Sequence, residues 1–162
     1  MKNAIHMLHS ITNTQMNSFL ITTASGKIIA IVRGVDTDSV VKIAQALYEG
    51  GVNMVEVTFN QADPANFHKT ADSIRAIREA MGDKMLVGAG TVTSPELVQM
   101  AADAGALYII SPDTDVEVIK KTRELGLVSM PGAYTATEAK QAHVAGADFV
   151  KLFPCVEGAP AY

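Results

Sequence analysis

Two residue types could do chemistry in this chain: a lysine in one apolar strand and a glutamate in another. Lys151 lies in Ala147-Asp148-Phe149-Val150-Lys151-Leu152-Phe153-Pro154, a run that otherwise reads as a buried parallel strand. An ammonium kept from water is costly unless it is paired, neutralised or snorkelling. In its amine form such a lysine is a nucleophile suited to a carbonyl carbon, which points to a Schiff base. A lysine at a strand end reaching water is the plainer alternative. Glu56 lies in Met54-Val55-Glu56-Val57-Thr58. The period of two along a strand puts Glu56, Thr58 and Asn60 on one face, and likewise Phe149, Lys151 and Phe153 on one face of theirs. If both faces look inward, carboxylate and amine meet, either as a structural ion pair or as an acid–base pair. Arg33 and Thr91, each just after a strand, offer donors suited to a substrate carboxylate. The alternatives there are a surface arginine and a helix-capping threonine.

The elements that must position these residues alternate from Lys27 onward. Strands are expected at Ile28 to Val32, Met54 to Thr58, Met85 to Val87, Leu107 to Ile110, Leu127 to Met130 and Asp148 to Phe153. Between them lie helical patterns with apolar residues at a 3.6 period, opened by Asp36, Asp63-Pro64, Ser94-Pro95, Thr114 and Thr135. A helix-ending glycine followed by an apolar strand recurs at Gly105, Gly126 and Gly146, the mark of a compact βα unit. Six such units imply a parallel sheet, either doubly wound or a (β/α)8 barrel. The barrel is favoured: the units are even, and no dinucleotide-type glycine turn follows the first strand. Polar or special residues also gather at the strands' carboxyl ends, where barrel active sites lie. Residues 1–26 read as a loosely ordered leader, and residues 27–162 as a partial barrel domain.

The composition narrows the function. With 162 residues, 48% of them hydrophobic, the chain can bury a sizeable core. A net charge of −4 argues against a nucleic-acid partner. Four histidines and one cysteine offer no metal-ligand cluster, and the lone Cys155 fits a reducing cytoplasm. No apolar run reaches membrane-spanning length. Cys155 is expected as a small filler, His68 and His143 as surface residues, and Met54, Met81, Met85, Met100 and Met130 as core gap-fillers. Gly88-Ala89-Gly90-Thr91 is too short to mark a phosphate loop; its glycines let backbone approach a ligand or make a tight turn.

Val55-Glu56-Val57-Thr58, Gly88-Ala89-Gly90-Thr91-Val92, Ile110-Ser111-Pro112 and Val150-Lys151-Leu152-Phe153-Pro154 occur in one order and spacing. Together they resemble the class I aldolases that cleave 2-dehydro-3-deoxy-6-phosphogluconate and 4-hydroxy-2-oxoglutarate. The resemblance runs from about Lys27 to Tyr162. It implies a (β/α)8 barrel, a homotrimer, no metal or cofactor, and a small 2-oxo acid substrate. It assigns the Schiff base to Lys151, general acid–base work to Glu56 and the pyruvate carboxylate to Thr91. Arg33 matches an active-site arginine, and Pro112 and Phe153 match pocket walls. Asn60 stands where phosphogluconate-type enzymes commonly carry a carboxylate-binding arginine; an asparagine there resembles the phosphogalactonate-type relatives and a bifunctional subgroup, so either substrate epimer is expected. The family has eight units where this chain shows six, so truncation after the sixth strand is expected, with open edges at the first and sixth strands. Two rival expectations follow: an inactive fragment of that family, or another sugar-phosphate lyase or epimerase on a phosphate-binding barrel.

Overall fold

The computed structural model describes residues 28–155; the expected leader over residues 1–26 lies outside them. Strands β1 (Ala30–Val32), β2 (Met54–Thr58), β3 (Leu86–Gly90), β4 (Tyr108–Ile110) and β5 (Val128–Met130) form one parallel sheet in chain order. Parallel neighbours require crossovers, supplied by helices α1 (Thr37–Glu49), α2 (Phe67–Met81), α3 (Pro95–Asp103) and α4 (Val116–Glu124). Helix α5 (Ala136–Ala145) follows β5 and the two-residue strand β6 (Gly132–Ala133). A doubly wound sheet reverses its strand order at a switch point. This one never reverses, so it is an arc of a (β/α) barrel.

The helix boundaries follow their caps. Asp36 accepts from the Ser39 amide, Ser94 from Leu97, and Thr135 forms a reciprocal capping box with Glu138. Two starts shift from expectation. Asp115, not Thr114, caps α4, because the Thr114 hydroxyl donates instead to the Gly132 carbonyl at 2.7 Å. The segment at Asp63-Pro64 forms a short 3₁₀ turn (Pro64–Asn66) before α2, and Asp63 spends its carboxylate on the Asn66 side chain at 2.7 Å. The repeated glycines do end helices: Gly105, Gly126 and Gly146 have φ of 91°, 72° and 101°, a conformation costly for any residue with a Cβ.

Alternation along the strands sorts the core into two faces. Val55, Val57, Val87, Ala89 and Ile109 point toward the helices and pack with Val40, Ala44, Ile74, Ile77 and Val98. Ile74, Ile77 and Val98 are wholly buried, and each such side chain contributes about 1.5–3 kcal/mol. The opposite, inner face carries a smaller cluster of Met54, Tyr108, Ile110 and Val128, with Met130 and Phe149 against it. Of the expected gap-fillers, Met54, Met81 and Met85 are buried, while Met100 and Met130 are half-buried beside the core.

The sixth strand departs from expectation. Strand β7 covers only Lys151–Leu152 and pairs with β6 in a separate two-stranded sheet. Nor is the run buried: Val150 and Leu152 are 40% and 56% exposed. The reason lies on its neighbour. The amides of Phe149, Lys151 and Phe153 donate in turn to the carbonyls of Ser129, Pro131 and Ala133. Pro131 can accept but has no N–H to return, so the ladder breaks there and splits one strand into β5 and β6. Among the described residues nothing pairs with the far side of β7 or of β1, where Ile31 is 57% exposed.

Asp148 takes over where regular pairing fails. Its carboxylate accepts from the Ser129 amide at 2.8 Å and from Arg123 at 2.7 Å, while its own amide donates to the Ser129 carbonyl at 3.0 Å. Asp148→Ala should therefore lower stability by about 1–3 kcal/mol, since it strands the Ser129 amide. The urea midpoint of the variant measures this, and an unchanged midpoint would show that the clamp carries no weight.

Candidate active site

The strand register builds the site. Ile31, Glu56, Gly88, Tyr108 and Val128 are successive partners across the sheet, and so share one row of the inner face. Thr58 and Gly90 are partners in the next row toward the carboxyl ends. Lys151 is the partner of Gly132, two residues after Met130 on the same face. The even spacing of Glu56 and Lys151 thus brings both inward, as the sequence suggests.

Glu56 is 4% exposed. Burial pushes its carboxyl above the usual value, and the charges of Lys151 and Arg33 pull partly the other way. Lys151 is half-buried, with Nζ 4.6 Å from the centre of the Phe153 ring, a cation–π distance. Arg33 is exposed, and its Nε donates to the Thr58 hydroxyl at 3.4 Å; that hydroxyl lies 3.5 Å from the Val32 carbonyl. Thr58, 4% exposed, ties the end of β1 to the end of β2.

The glycines of β3 have a role that neither a turn nor a ligand explains. A Cβ on Gly90 would stand 2.6 Å from Glu56 Oε1, and one on Gly88 would collide with the Tyr108 ring. Both positions leave room for side chains from other strands. Thr91 is half-buried and has φ of 56°, a left-handed backbone that costs a β-branched residue about 1–3 kcal/mol. It does not cap α3, since Ser94 does. Gln61 holds the turn: its Nε2 donates to the Thr91 carbonyl at 2.7 Å and its Oε1 accepts from Thr93 at 3.0 Å.

Other expected residues fall less neatly. Strand β2 ends at Thr58, so Asn60 lies in the turn beyond it. Asn60 is exposed, and its Oδ1 accepts from the Ala62 amide at 3.1 Å, an Asx turn that fixes the side chain against its own backbone. Pro112 is half-buried, its carbonyl pressed against Gly132. Phe153 lies on the lysine's face and is 38% exposed. Cys155 is exposed and fills no core space, whereas His68 and His143 are exposed as expected. Sequence reasoning passed over Gln61, which carries no signal, and Tyr108, whose even spacing from Ile110 marks it as inward-facing.

The family model for the KDPG and KHG aldolases matches residues 21–159. A 2-dehydro-3-deoxy-6-phosphogalactonate aldolase of Escherichia coli is 39% identical over 135 residues, covering 83% of this chain and 63% of the relative. The solved structure described as native KDPGal superposes with a TM-score of 0.70 at 38% identity, covering 78% of this chain and 59% of the other. A cube-shaped cage designed by fusing symmetric oligomeric domains matches with a TM-score of 0.69 at 40% identity, over 78% of this chain and 44% of that one. The chain spans about three fifths of the length of the first two. An unreversed parallel βα arc with a lysine and a glutamate on its inner face is of the barrel-aldolase kind. The chain belongs to the KDPG and KHG aldolase family.

The buried carboxylate makes stability depend on pH. Because Glu56 holds its proton more tightly in the folded chain than its ordinary value of 4.5, the stability it contributes is full below that value and is lost as pH rises through the raised one. Glu56→Gln, which mimics the protonated form, should match the wild type in acid and exceed it in melting temperature near neutrality. Parallel melts at pH 4 and pH 7 read the difference; a variant less stable at pH 7 would mean that the attraction of Lys151 and Arg33 outweighs the burial.

Proposed function

We propose that this chain carries the imine-forming centre of a class I aldolase, with Lys151 as nucleophile and Glu56 as acid–base group. The observation that carries the reading is a nearly dry carboxylate that feels the charge of an inward-facing lysine from another strand. The amine of Lys151 attacks the C2 ketone of a 2-oxo acid, and loss of water leaves a protonated imine that acts as an electron sink. Glu56 takes the C4 hydroxyl proton as the C3–C4 bond breaks, giving an aldehyde and an enamine. The proton returns through water to C3, and hydrolysis frees pyruvate and the amine. Thr91 and Arg33 serve the carboxylate of the 2-oxo acid. Asn60, Pro112 and Phe153 border the substrate.

The substrate we favour is a 2-keto-3-deoxy-6-phospho sugar acid, with 4-hydroxy-2-oxoglutarate as the shorter alternative. Asn60, together with the phosphogalactonate relative, supports the galactonate epimer. A homotrimer in the cytoplasm is the expected state. The likeness to an oligomeric building block and the lone exposed cysteine support that reading, and no helix among the described residues is long and apolar enough to cross a membrane.

Borohydride reduction in the presence of pyruvate, followed by peptide mapping, tests the reading. The wild-type chain should acquire a reduced adduct on Lys151, and Lys151→Ala none. Glu56→Gln should still form the adduct but lose cleavage by about 10²–10⁴-fold. No adduct on the wild type, with a longer relative trapping normally, would show that this chain lacks the activity; equal loss of trapping in both variants would sink the division of roles.

A further inference from the structure

Tyr108 is the largest side chain on the inner face that the proposed reaction does not use. It is fully buried, a rare condition for a phenol, and its place is unusual. In the register Glu56 pairs with Gly88 and Gly88 with Tyr108, so the glycine stands between them in one row. With no side chain at 88, the Tyr108 ring lies over β3 itself, in the volume a Cβ would take. Its hydroxyl reaches β2 and donates to the Val55 carbonyl at 2.7 Å, one residue before Glu56. Toward the carboxyl end, the Glu56 carboxylate leans over Gly90. The ring therefore lies on the side of the carboxylate away from the rim.

We propose that Tyr108 is a positioning residue for Glu56: its ring closes the inner side of the carboxylate to water, and its hydroxyl pins the β2 backbone beside it. The charged groups that face Glu56 are Arg33 from the end of β1 and Lys151 from β7. Strand β3 presents only Gly88 and Gly90 there, so from β4 the dielectric is set by the phenol. The phenol in turn feels the carboxylate: burial, and after it the charge of Glu56, pushes its ionisation well up. A ring does this better than an aliphatic chain, because only a flat side chain spans β3 without displacing it. The catalytic weight of this contact rests on Glu56 being the acid–base group.

Carbon-13 titration of the Glu56 side-chain carboxyl, assigned by its loss in Glu56→Gln, tests the proposal on the whole chain without any substrate. The wild-type midpoint should lie above that of the exposed glutamates. Tyr108→Phe keeps the ring and should keep the midpoint, while amide exchange at Glu56 and Val57 quickens about fivefold for the lost hydrogen bond. Tyr108→Leu cannot span β3, and its midpoint should fall toward that of the exposed glutamates. Tyr108→Val, a better strand former, replaces it if the leucine variant does not fold. A folded leucine or valine variant with the wild-type midpoint would overturn the proposal. Failure of the aldolase reading looks different: a raised, tyrosine-dependent midpoint with no pyruvate adduct on Lys151.

Discussion

A carboxylate on the inner face of a parallel sheet must lose water and yet stay within reach of cations. Most of what surrounds Glu56 follows from that constraint. Desolvation alone would make the group a permanent acid, and close pairing alone would make it a permanent base. The sheet holds it between the two. Strand β3 withdraws its side chains at Gly88 and Gly90, the phenol of Tyr108 fills one side, and Arg33 and Lys151 bring charge from opposite ends of the arc. Thr58 completes the arrangement by holding the arginine, which would otherwise be a mobile surface side chain.

Stability and chemistry occupy different faces of the same strands. The residues toward the helices form the large cluster, and the few polar side chains buried on the helices there, Ser73 and Thr122, are hydrogen-bonded. The inner face buries less apolar surface and accepts Glu56 and Thr58. Because alternate residues divide the work, a polar residue facing inward never borrows space from the outer core. The lysine strand is held differently, by amides given to the carbonyls of Ser129, Pro131 and Ala133 and by the Asp148 clamp. Little of its hold comes from buried apolar area, as the exposure of Val150 and Leu152 shows.

The order of elements was legible because helices and strands write different periods into a sequence, and because glycines punctuate the units. The inward facing of Glu56 and Lys151 was legible for the same reason. Asn60 lies beyond the reach of periodicity, since alternation holds only while the strand lasts, and an asparagine beside a turn finds a near partner in the Ala62 amide. The shortness of β7 was hidden because its cause, the missing N–H of Pro131, lies on another strand. Gly88 and Gly90 read as loop formers because their own segment does not reveal what the strands on either side place over them. Tyr108 read as an ordinary strand residue because its reach across β3 exists only once three strands are in register.

Those two glycines link positions that are far apart in the chain. Gly88 is empty for the sake of residue 108, and Gly90 for the sake of residue 56. A side chain gained at 88 requires a smaller one at 108, whereas one gained at 90 requires the end of the Glu56 side chain to move aside, whatever happens to the ligand. In this chain, substitutions are thereby coupled in pairs, 88 with 108 and 90 with 56. A side chain at 90 would push the acid off its present place, and removal of the acid would free that space.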